Sequence, residues 1–140
     1  MAEQREDSLQ IEITATLRLT FPGLYFHHSP NGWHGGGKPW QNARQASKLK
    51  AMGTKNGFPD FLFLIDETTI HGDFLTNTGK TEVAFIELKR PGKYLEPEQK
   101  EFRDMCQGRG IKWALCRSYE EVRDTLIGWG CKCRETVNEL

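Results

Sequence analysis

Two apolar stretches of this chain contain charged residues, and such charges are costly to bury unless chemistry uses them. Residues 57–65 read Gly-Phe-Pro-Asp-Phe-Leu-Phe-Leu-Ile, with Asp60 as the charge. Residues 83–89 read Val-Ala-Phe-Ile-Glu-Leu-Lys, with Glu87 and Lys89 as the charges. Both stretches are typical of strands. A metal ion, a proton transfer or a phosphate would give the three charges a use, so we interpret them as the candidate site.

The alternation of side chains along a strand predicts how these charges are arranged. Glu87 and Lys89 should point to one face of the strand, and Ile86 and Leu88 to the other. If the strand that Asp60 opens pairs with this one, all three charges converge at an edge of the sheet. Carboxylates placed in this way bind a hard divalent cation beside a positioned water, and Mg²⁺ is the cation we expect. The alternative is an exposed Glu-Lys pair that arose by chance.

At these positions the chain resembles the Asp…Glu-x-Lys nucleases, written PD-(D/E)XK, and within them the VRR-NUC (virus-type replication-repair nuclease) family. The family pattern is Gly-x-Pro-Asp, a strand, Glu-x-Lys, a turn that contains glycine, and a helix that bears glutamine. This chain has the same order: Gly-Phe-Pro-Asp at residues 57–60, Glu-Leu-Lys at 87–89, Gly92, and Pro-Glu-Gln at 97–99. Further similarity at residues 30–32 and 49–53 extends the resemblance to residues 6–127.

The resemblance implies an α/β fold with a restriction-endonuclease-like core, in which helices flank a mixed central sheet in a single domain. It implies a metal-dependent deoxyribonuclease, with Mg²⁺ or Mn²⁺ held by Asp60, Glu87 and the carbonyl of Leu88. Lys89 would place or deprotonate the attacking water. Gln99 would orient that water or the scissile phosphate, although without the family pattern it is an ordinary solvent-facing side chain. Whether the site holds one ion or two stays open.

The family also has a metal-binding glutamate on its first helix. Apolar residues at four-residue spacing predict this helix over residues 7–19. Glu6 falls within the apolar stripe of that helix, whereas Gln10 lies on its flank and Glu12 lies well away from it. We therefore assign the metal-binding role to Glu6. Alternatively, Asp7 caps the helix and Glu6 lies outside it.

The formal net charge of the chain is +0, but a long basic stretch lies directly before Asp60. Residues 13–59 contain no Asp or Glu. Their basic residues and histidines are Arg18, Lys38, Arg44, Lys48, Lys50, Lys55, His27, His28 and His34. This pattern is typical of a surface that binds nucleic-acid phosphates, and a solvated basic loop is the alternative. The residues that we expect to contact DNA are Arg44, Lys48, Lys50, Lys55 and Asn31.

Two histidines and two tryptophans in this stretch are further candidates for contact with DNA. His27 and His28 are adjacent on a strand predicted over residues 24–28, so they face opposite ways and do not easily share one metal ion. Trp33 and Trp40 flank a run of glycines. Their rings would either stack on bases or anchor the loop by packing.

The rest of the chain predicts further elements of an α/β fold. Helices are expected over residues 41–52 and 98–107, and a strand over residues 111–116. A capping box at Ser118 and Glu121 should open a last helix that ends at residue 127. The helix over residues 98–107 should bury Phe102, Met105 and Cys106. Residues 66–81 contain Gly72, Asn77 and Gly79, and should form a long polar hairpin connection.

The length of 140 residues suits one domain. We expect a nuclease domain over residues 1–130 and a loosely held tail over residues 131–140. No apolar run approaches the ~20 residues that span a bilayer, and the acidic N-terminus is not that of a signal peptide. We therefore expect a cytoplasmic protein with no membrane partner, and a viral origin stays open. The four cysteines lack zinc-site spacing, so we expect reduced thiols rather than structural zinc.

These features predict a Mg²⁺-dependent nuclease that hydrolyses DNA phosphodiester bonds. Similarity to the stand-alone viral and bacterial members further implies a homodimer that acts on branched DNA such as four-way junctions. Three alternatives stay open. They are a catalytically silent DNA-binding module of the same fold, a general DNA nuclease without structure preference, and a small structural or interaction protein.

Overall fold

Helices and strands are interspersed along the chain in the computed structural model. The structure describes residues 6–29, 39–53, 55–71 and 74–134. Of these, the side chains of residues 6–7, 39–42, 69–71 and 74–75 are not described. The described helices are α1 (Glu6–Thr20), α2 (Pro39–Ala51), α3 (Pro97–Gly108) and α4 (Tyr119–Gly128). The described strands are β1 (Tyr25–His28), β2 (Phe61–His71), β3 (Phe74–Leu88) and β4 (Lys112–Cys116). None of these helices has the length and apolar composition needed to cross a membrane.

The strands form one mixed sheet in the order β1-β2-β3-β4. β2 pairs antiparallel with both β1 and β3, and Phe61 of β2 lies opposite Ile86 of β3. β3 pairs in parallel with β4, with Leu88 opposite Cys116. A parallel pair needs a crossover connection, and α3 provides it. The predicted α/β fold, a mixed sheet flanked by helices, is therefore confirmed.

One face of the sheet packs against α1 and α4 to form the main core. Ile13 and Leu17 of α1 are fully buried, which confirms the predicted apolar stripe of this helix. The same cluster contains buried residues of the sheet and of α4: Phe61, Phe63, Ile65, Ala84, Ile86, Leu88, Cys116, Val122 and Leu126. Removal of this apolar surface from water is the main favourable contribution to folding.

Helix α3 covers part of the opposite face through three phenylalanine rings. The ring of Phe85 on β3 lies edge-on to Phe58 and Phe102, with centroids 5.5 Å and 5.0 Å away. Cys106, one turn after Phe102, is buried beneath the helix. Met105 is 38% exposed, so its predicted burial is wrong. The half-buried Phe102 and the buried Cys106 form a stripe at four-residue spacing, and Met105 lies at the edge of that stripe.

Helix α4 begins with a cap that differs in one bond from the predicted capping box. The hydroxyl of Ser118 accepts a hydrogen bond from the N–H of Glu121 at 3.2 Å, as expected. The carboxylate of Glu121 accepts from the N–H of Arg117 at 2.7 Å, one residue earlier than a capping box requires. The bond fixes the backbone of Arg117.

Residues 66–81 differ most from the predicted fold, because paired strands extend through the described part of the predicted polar hairpin connection. β2 and β3 remain paired from Ile65 and Glu82 to His71 and Phe74, with one irregularity near Asp66. β1 and β4 pair with neither strand in this part of the sheet, so it is a two-stranded ribbon. Its many threonines favour strands. Thr78 and Thr81 donate hydrogen bonds of 2.7 Å to Glu67 and Asp66 across the ribbon.

The last described residues lie beside the core. The N–H of Arg134 donates to the carbonyl of Thr20 at 2.8 Å, and the N–H of Cys131 donates to the carbonyl of Leu126 at 2.9 Å. Cys131 and Cys133 are half-buried and pack against the core. Residues 135–140 lie outside the described part of the chain, so the predicted domain boundary at residue 130 stays a prediction.

The four cysteines are free thiols. Burial raises the pKa of the Cys116 thiol to about 11, partly opposed by its contact with the hydroxyl of Thr125. Burial also raises the pKa of the Cys131 thiol to about 11, and raises that of Cys106. Since the thiolate is the nucleophile and the metal-binding form, these three thiols are held in their unreactive state at neutral pH.

Gly57 allows the segment before β2 to approach α3 closely. Its φ is +88°, a left-handed conformation that side chains rarely adopt. A Cβ atom at this position would lie 2.5 Å from the carbonyl oxygen of Glu98 in the first turn of α3. Gly57 therefore brings the Pro59-Asp60 turn and the helix that carries Gln99 together.

Replacement of Gly57 by alanine should destabilise the fold more than the same change at Gly53. Both glycines have positive φ, so each substitution should lose about 1–2 kcal/mol to backbone strain. Only Gly57 also meets neighbouring atoms, and the crowding should add about 1–3 kcal/mol. Urea unfolding of wild type, Gly57→Ala and Gly53→Ala measures the difference. Equal losses in the two variants would show that the close approach to α3 has no energetic importance.

Candidate active site

The three charged residues singled out by the sequence meet where β2 begins and β3 ends. Phe61 lies opposite Ile86, so Asp60 comes opposite Glu87 one step further along both strands. Glu87 is 3% exposed and Lys89 is 8% exposed, and among the described residues these are the buried charged side chains. The pairing that the sequence required is confirmed, and the site lies at the end of the two inner strands.

Asp60 is held against β3 by its side chain and against β1 by its backbone. Its Oδ2 accepts a hydrogen bond from the N–H of Leu88 at 2.7 Å. Its carbonyl accepts from the N–H of Ser29, the residue after β1, at 2.9 Å. Pro59, directly before it, is fully buried. A carboxylate fixed by a charge-assisted bond and two neighbouring strands has little freedom to move.

Glu87 is oriented by the helix that follows it. Its Oε2 accepts a hydrogen bond from the Nε2 of Gln99 at 2.9 Å. The Oε1 of Gln99 in turn accepts from the N–H of Glu96 at 2.8 Å, at the start of α3. Pro97 occupies the first helical position, where a missing N–H is tolerated. Gln99 is therefore not an ordinary solvent-facing side chain, because both ends of its amide are bonded.

Lys89 leaves β3 directly after Leu88 and stays next to β4. Its backbone N–H donates to the carbonyl of Cys116 at 3.0 Å, which continues the parallel ladder by one residue. Its side chain is buried, although a lysine side chain normally keeps its ammonium group in water. The backbone bond keeps Lys89 in line with β3, and the alternation of side chains along a strand places it on the same face as Glu87.

The donor set of this cluster suits a hard divalent cation. Asp60 and Glu87 supply carboxylate oxygens. Leu88, which lies between Glu87 and Lys89, supplies a backbone carbonyl. The buried carboxylate of Glu87 and the half-buried carboxylate of Asp60, beside one ammonium group, leave an excess of negative charge that a cation would offset. Within the described side chains, no three Asp, Glu, His or Cys residues are close enough to hold an ion by themselves. Water or a further residue would have to complete the coordination.

The predicted acid of the first helix lies at the limit of what the structure describes. Glu6 is the first residue of α1, but its side chain lies outside the described part. Glu12 is exposed, which agrees with its place away from the apolar stripe. Gln10 is half-buried on the flank, and its Nε2 is buried with no hydrogen-bond partner among the described residues. The choice of Glu6 over Glu12 stays a prediction.

The basic residues predicted to contact DNA lie on α2 and on the segment after it. Arg44, Lys48, Lys50 and Lys55 are all exposed, and α2 has no acidic residue in its first turn. Lys55 lies two residues before Gly57 and so close in sequence to the site. Asn31, Trp33 and His34 fall outside the described residues, as does the side chain of Trp40.

The two adjacent histidines are both exposed at the edge of the sheet. His27 lies opposite Leu62, and His28 lies opposite Phe61 with its ring 6.1 Å from that phenylalanine. That the two histidines do not easily share one metal ion stays a prediction.

Sequence reasoning missed Arg117, which holds the turn between Lys89 and α3. Its Nη1 donates to the carbonyl of Arg90 at 2.9 Å and to the carbonyl of Lys93 at 2.6 Å. The partners are backbone atoms, which leave no pattern of residue types in the sequence. The one available signal was its place directly after β4, beside the Glu-x-Lys strand.

Comparison with known proteins agrees with this geometry. The sequence model of the VRR-NUC domain matches residues 36–120, more than half of the chain, and this region includes Asp60, Glu87, Lys89 and Gln99. A solved structure of a VRR-NUC domain protein has the same fold, with a TM-score of 0.63, 23% sequence identity, and coverage of 89% of this chain and 87% of that chain. No protein with a curated description matches the chain. VRR-NUC domains are generally nucleases, and this chain belongs to the VRR-NUC domain family.

Proposed function

We propose that this chain is a Mg²⁺- or Mn²⁺-dependent deoxyribonuclease that hydrolyses phosphodiester bonds. The observation that supports this best is the burial of Glu87 and Lys89 beside Asp60, at the end of two paired strands. A chain that only bound DNA would keep such charges at the surface, where they cost little free energy. Fixed charges in a place shielded from water are suited to stabilising the charge that develops on a reacting phosphate.

The divalent ion would be held by Asp60, Glu87 and the carbonyl of Leu88, and Glu6 would reach it through a water. The hydrogen bonds of Asp60 to Leu88 and of Gln99 to Glu87 support this assignment, because metal ligands are commonly oriented by such neighbours. When bound, the ion would polarise the phosphate and lower the pKa of a coordinated water.

Lys89 and Gln99 would act on the attacking water and on the phosphate. The side chain of Lys89 would either place the water as an ammonium group or take its proton as an amine, and the ammonium group would then offset the negative charge on the oxygens of the pentavalent phosphate. The amide of Gln99 keeps the Glu87 carboxylate in one orientation and, through it, the water or the scissile phosphate. Since Gln99 lies on α3 and Lys89 directly follows β3, the packing of α3 on the sheet would set the distance between them.

We further propose that the preferred substrate is branched DNA, such as a four-way junction, and that the protein acts as a homodimer. One active site cuts one strand, so symmetric resolution of a junction needs two cuts placed by a two-fold axis. The exposed lysines of α2 and Lys55 would hold the arms of the junction through their phosphates. No acidic residue opposes them in the sequence from Ile13 to Pro59.

Neutral replacement of either carboxylate should abolish cleavage while DNA binding stays largely intact. Asp60→Asn keeps an oxygen that can accept from the N–H of Leu88, and Glu87→Gln keeps the shape of the side chain, so both should fold. The matched controls are Asp66→Asn and Glu82→Gln, exposed acids further along the same two strands. Cleavage of linear duplex, single strand, flap and four-way junction with Mg²⁺, Mn²⁺ or EDTA measures the effect. Unchanged cleavage by either site variant would refute the metal assignment.

Lys89→Ala should lower the single-turnover rate of cleavage by about 10² or more, the scale of a lost acid-base group. The control is Lys112→Ala, a half-buried lysine on β4 that is paired with Glu82 at 3.4 Å, away from the site. The affinity for DNA, measured in EDTA, should change little in either variant. A loss confined to affinity would place Lys89 among the phosphate contacts and not in the chemical step.

Combined replacement of Lys48, Lys50 and Lys55 by alanine should weaken binding to all DNA substrates alike. The dependence of log K on log salt should flatten by roughly one unit per lost phosphate contact. A triple variant of lysines elsewhere, Lys80, Lys112 and Lys132, controls for the change in net charge. If the first variant kept the wild-type slope, the basic stretch would be a solvated surface and not the DNA contact.

The homodimer should be visible as twice the chain mass of 16.1 kDa in light scattering at micromolar concentration. The same protein should cut a four-way junction faster than a linear duplex built from the same arm sequences. A monomer that cuts both substrates equally would be a general DNA nuclease, and the junction proposal would then be wrong.

A further inference from the structure

The turn between Lys89 and α3 presents an exposed aromatic ring. Tyr94 is 77% exposed, the highest value for a large hydrophobic residue in the described part of the chain. The ring therefore contributes little to the core, and its exposure costs free energy, because apolar surface remains in water. A tyrosine ring is apolar over its faces and polar at its tip, and such rings are frequent at binding surfaces.

The turn that carries Tyr94 is held in one conformation by the backbone bonds of Arg117. The guanidinium group bridges the carbonyls of Arg90 and Lys93, and the N–H of Lys93 donates back to the carbonyl of Arg90 at 3.0 Å. Gly92, with a φ of +85°, permits this tight turn. The turn is therefore preorganised, and its side chains need little ordering when a ligand binds.

Arg117 also covers one face of the ring. Its guanidinium carbon lies 5.8 Å from the centroid of the Tyr94 ring, within the range of a cation–π contact. Because one face meets this cation, most of the 77% exposed surface belongs to the other face and the edge. The arrangement leaves a flat, supported aromatic surface open to solvent.

The turn that carries the ring leaves the candidate active site directly after Lys89 and is bonded to residues that position the site. Arg117 directly follows Cys116, whose carbonyl accepts from the N–H of Lys89. The turn ends at Glu96, whose N–H is bonded to Gln99, the partner of Glu87. The turn that carries Tyr94 is thus linked to Lys89 at its start and, through Glu96 and Gln99, to Glu87 at its end.

The chain around the ring is rich in cations. Arg90 and Lys93 precede Tyr94, Arg117 lies over its ring, and the first carboxylate of the turn is at Glu96. Aromatic rings among basic residues are how proteins bind nucleotides that have lost a stacking neighbour: the ring stacks on the base and the cations bind the phosphates. A surface for phosphates alone would need no aromatic ring.

We infer that Tyr94 is a stacking platform for a DNA base next to the scissile phosphate, on the face opposite Arg117. The inference rests on the proposed nuclease function. It gives a physical reason for the proposed preference of this nuclease for branched DNA. In linear duplex both faces of every internal base are covered by neighbours. At a branch point or in a single-stranded flap a base face is open, and only there can Tyr94 stack without breaking a base step.

Binding measurements in the cleavage-inactive Glu87→Gln background test this inference. Fluorescence anisotropy gives the affinity for a flap, a four-way junction and a linear duplex of the same sequences. Tyr94→Ala should lower the ratio of branched to linear affinity by about 5-fold to 150-fold, the range measured for one base stacked on an aromatic ring. Tyr94→Phe should keep the ratio, since stacking needs the ring and not the hydroxyl. Tyr25→Ala, which removes a 60% exposed tyrosine on β1, should also keep it.

A 2-aminopurine at the branch point reports stacking directly. Its fluorescence should fall when Glu87→Gln protein binds and should stay high with the Tyr94→Ala double variant. An unchanged affinity ratio and unchanged quenching in Tyr94→Ala would overturn the platform, and so would a Tyr94→Phe variant that behaves like Tyr94→Ala.

Failure of the platform and failure of the nuclease function give different results. If wild type cuts branched DNA but Tyr94→Ala changes neither ratio nor quenching, the platform is wrong and the nuclease stands. If quenching depends on Tyr94 but wild type cuts no substrate with Mg²⁺ or Mn²⁺, the platform stands and the nuclease function is wrong. Absence of any DNA binding would overturn both.

Discussion

The antiparallel register of β2 and β3 decides where every charged group of the candidate site lies. With Phe61 opposite Ile86, Asp60 and Glu87 face each other at the strand ends, and Ile86 and Leu88 enter the main core. A shift of one residue would turn Glu87 into the core and its apolar neighbours outward, so the register is strongly specified by burial. The strand pairing that forms the core therefore also brings Asp60, Glu87 and Lys89 together, although their partial removal from water costs free energy.

The rest of the site depends on how α3 and β4 are joined to that strand pair. Gly57 allows the segment before Asp60 to touch the first turn of α3, and Gln99 of that turn bonds to Glu87. Cys116 extends the β3–β4 ladder to Lys89, and Arg117 after it ties down the turn that leads back to α3. Strand, turn and helix thus form a closed set of contacts around the end of β3. Movement of any one of them would displace a charged group of the site.

Most of this arrangement can be predicted from residue types, because burial and alternation act over short stretches of sequence. The pairing of the two charged strands, the stripe of α1 and the place of Gln99 in the first turn of α3 were predictable in this way. The ribbon of residues 66–81 was not, since its glycines and polar residues resemble a loop, and hydrogen bonds from threonine to acidic side chains stabilise it across the strands. The role of the Arg117 side chain was also missed, because its partners are backbone carbonyls. The bond to the Glu121 carboxylate was missed because its donor is the backbone N–H of Arg117. The exposure of Tyr94 depends on three-dimensional packing, which residue types alone do not specify.

Calorimetric titration of Mn²⁺ into the metal-free protein tests most directly whether the charges at the end of β3 form a metal site. The experiment compares wild type, Glu87→Gln and the control Glu82→Gln, an acid on the same strand that lies away from the site. We expect wild type and Glu82→Gln to bind Mn²⁺ with equal affinity, and Glu87→Gln to bind at least about tenfold more weakly. Equal affinity in all three proteins would contradict a metal site at Asp60 and Glu87.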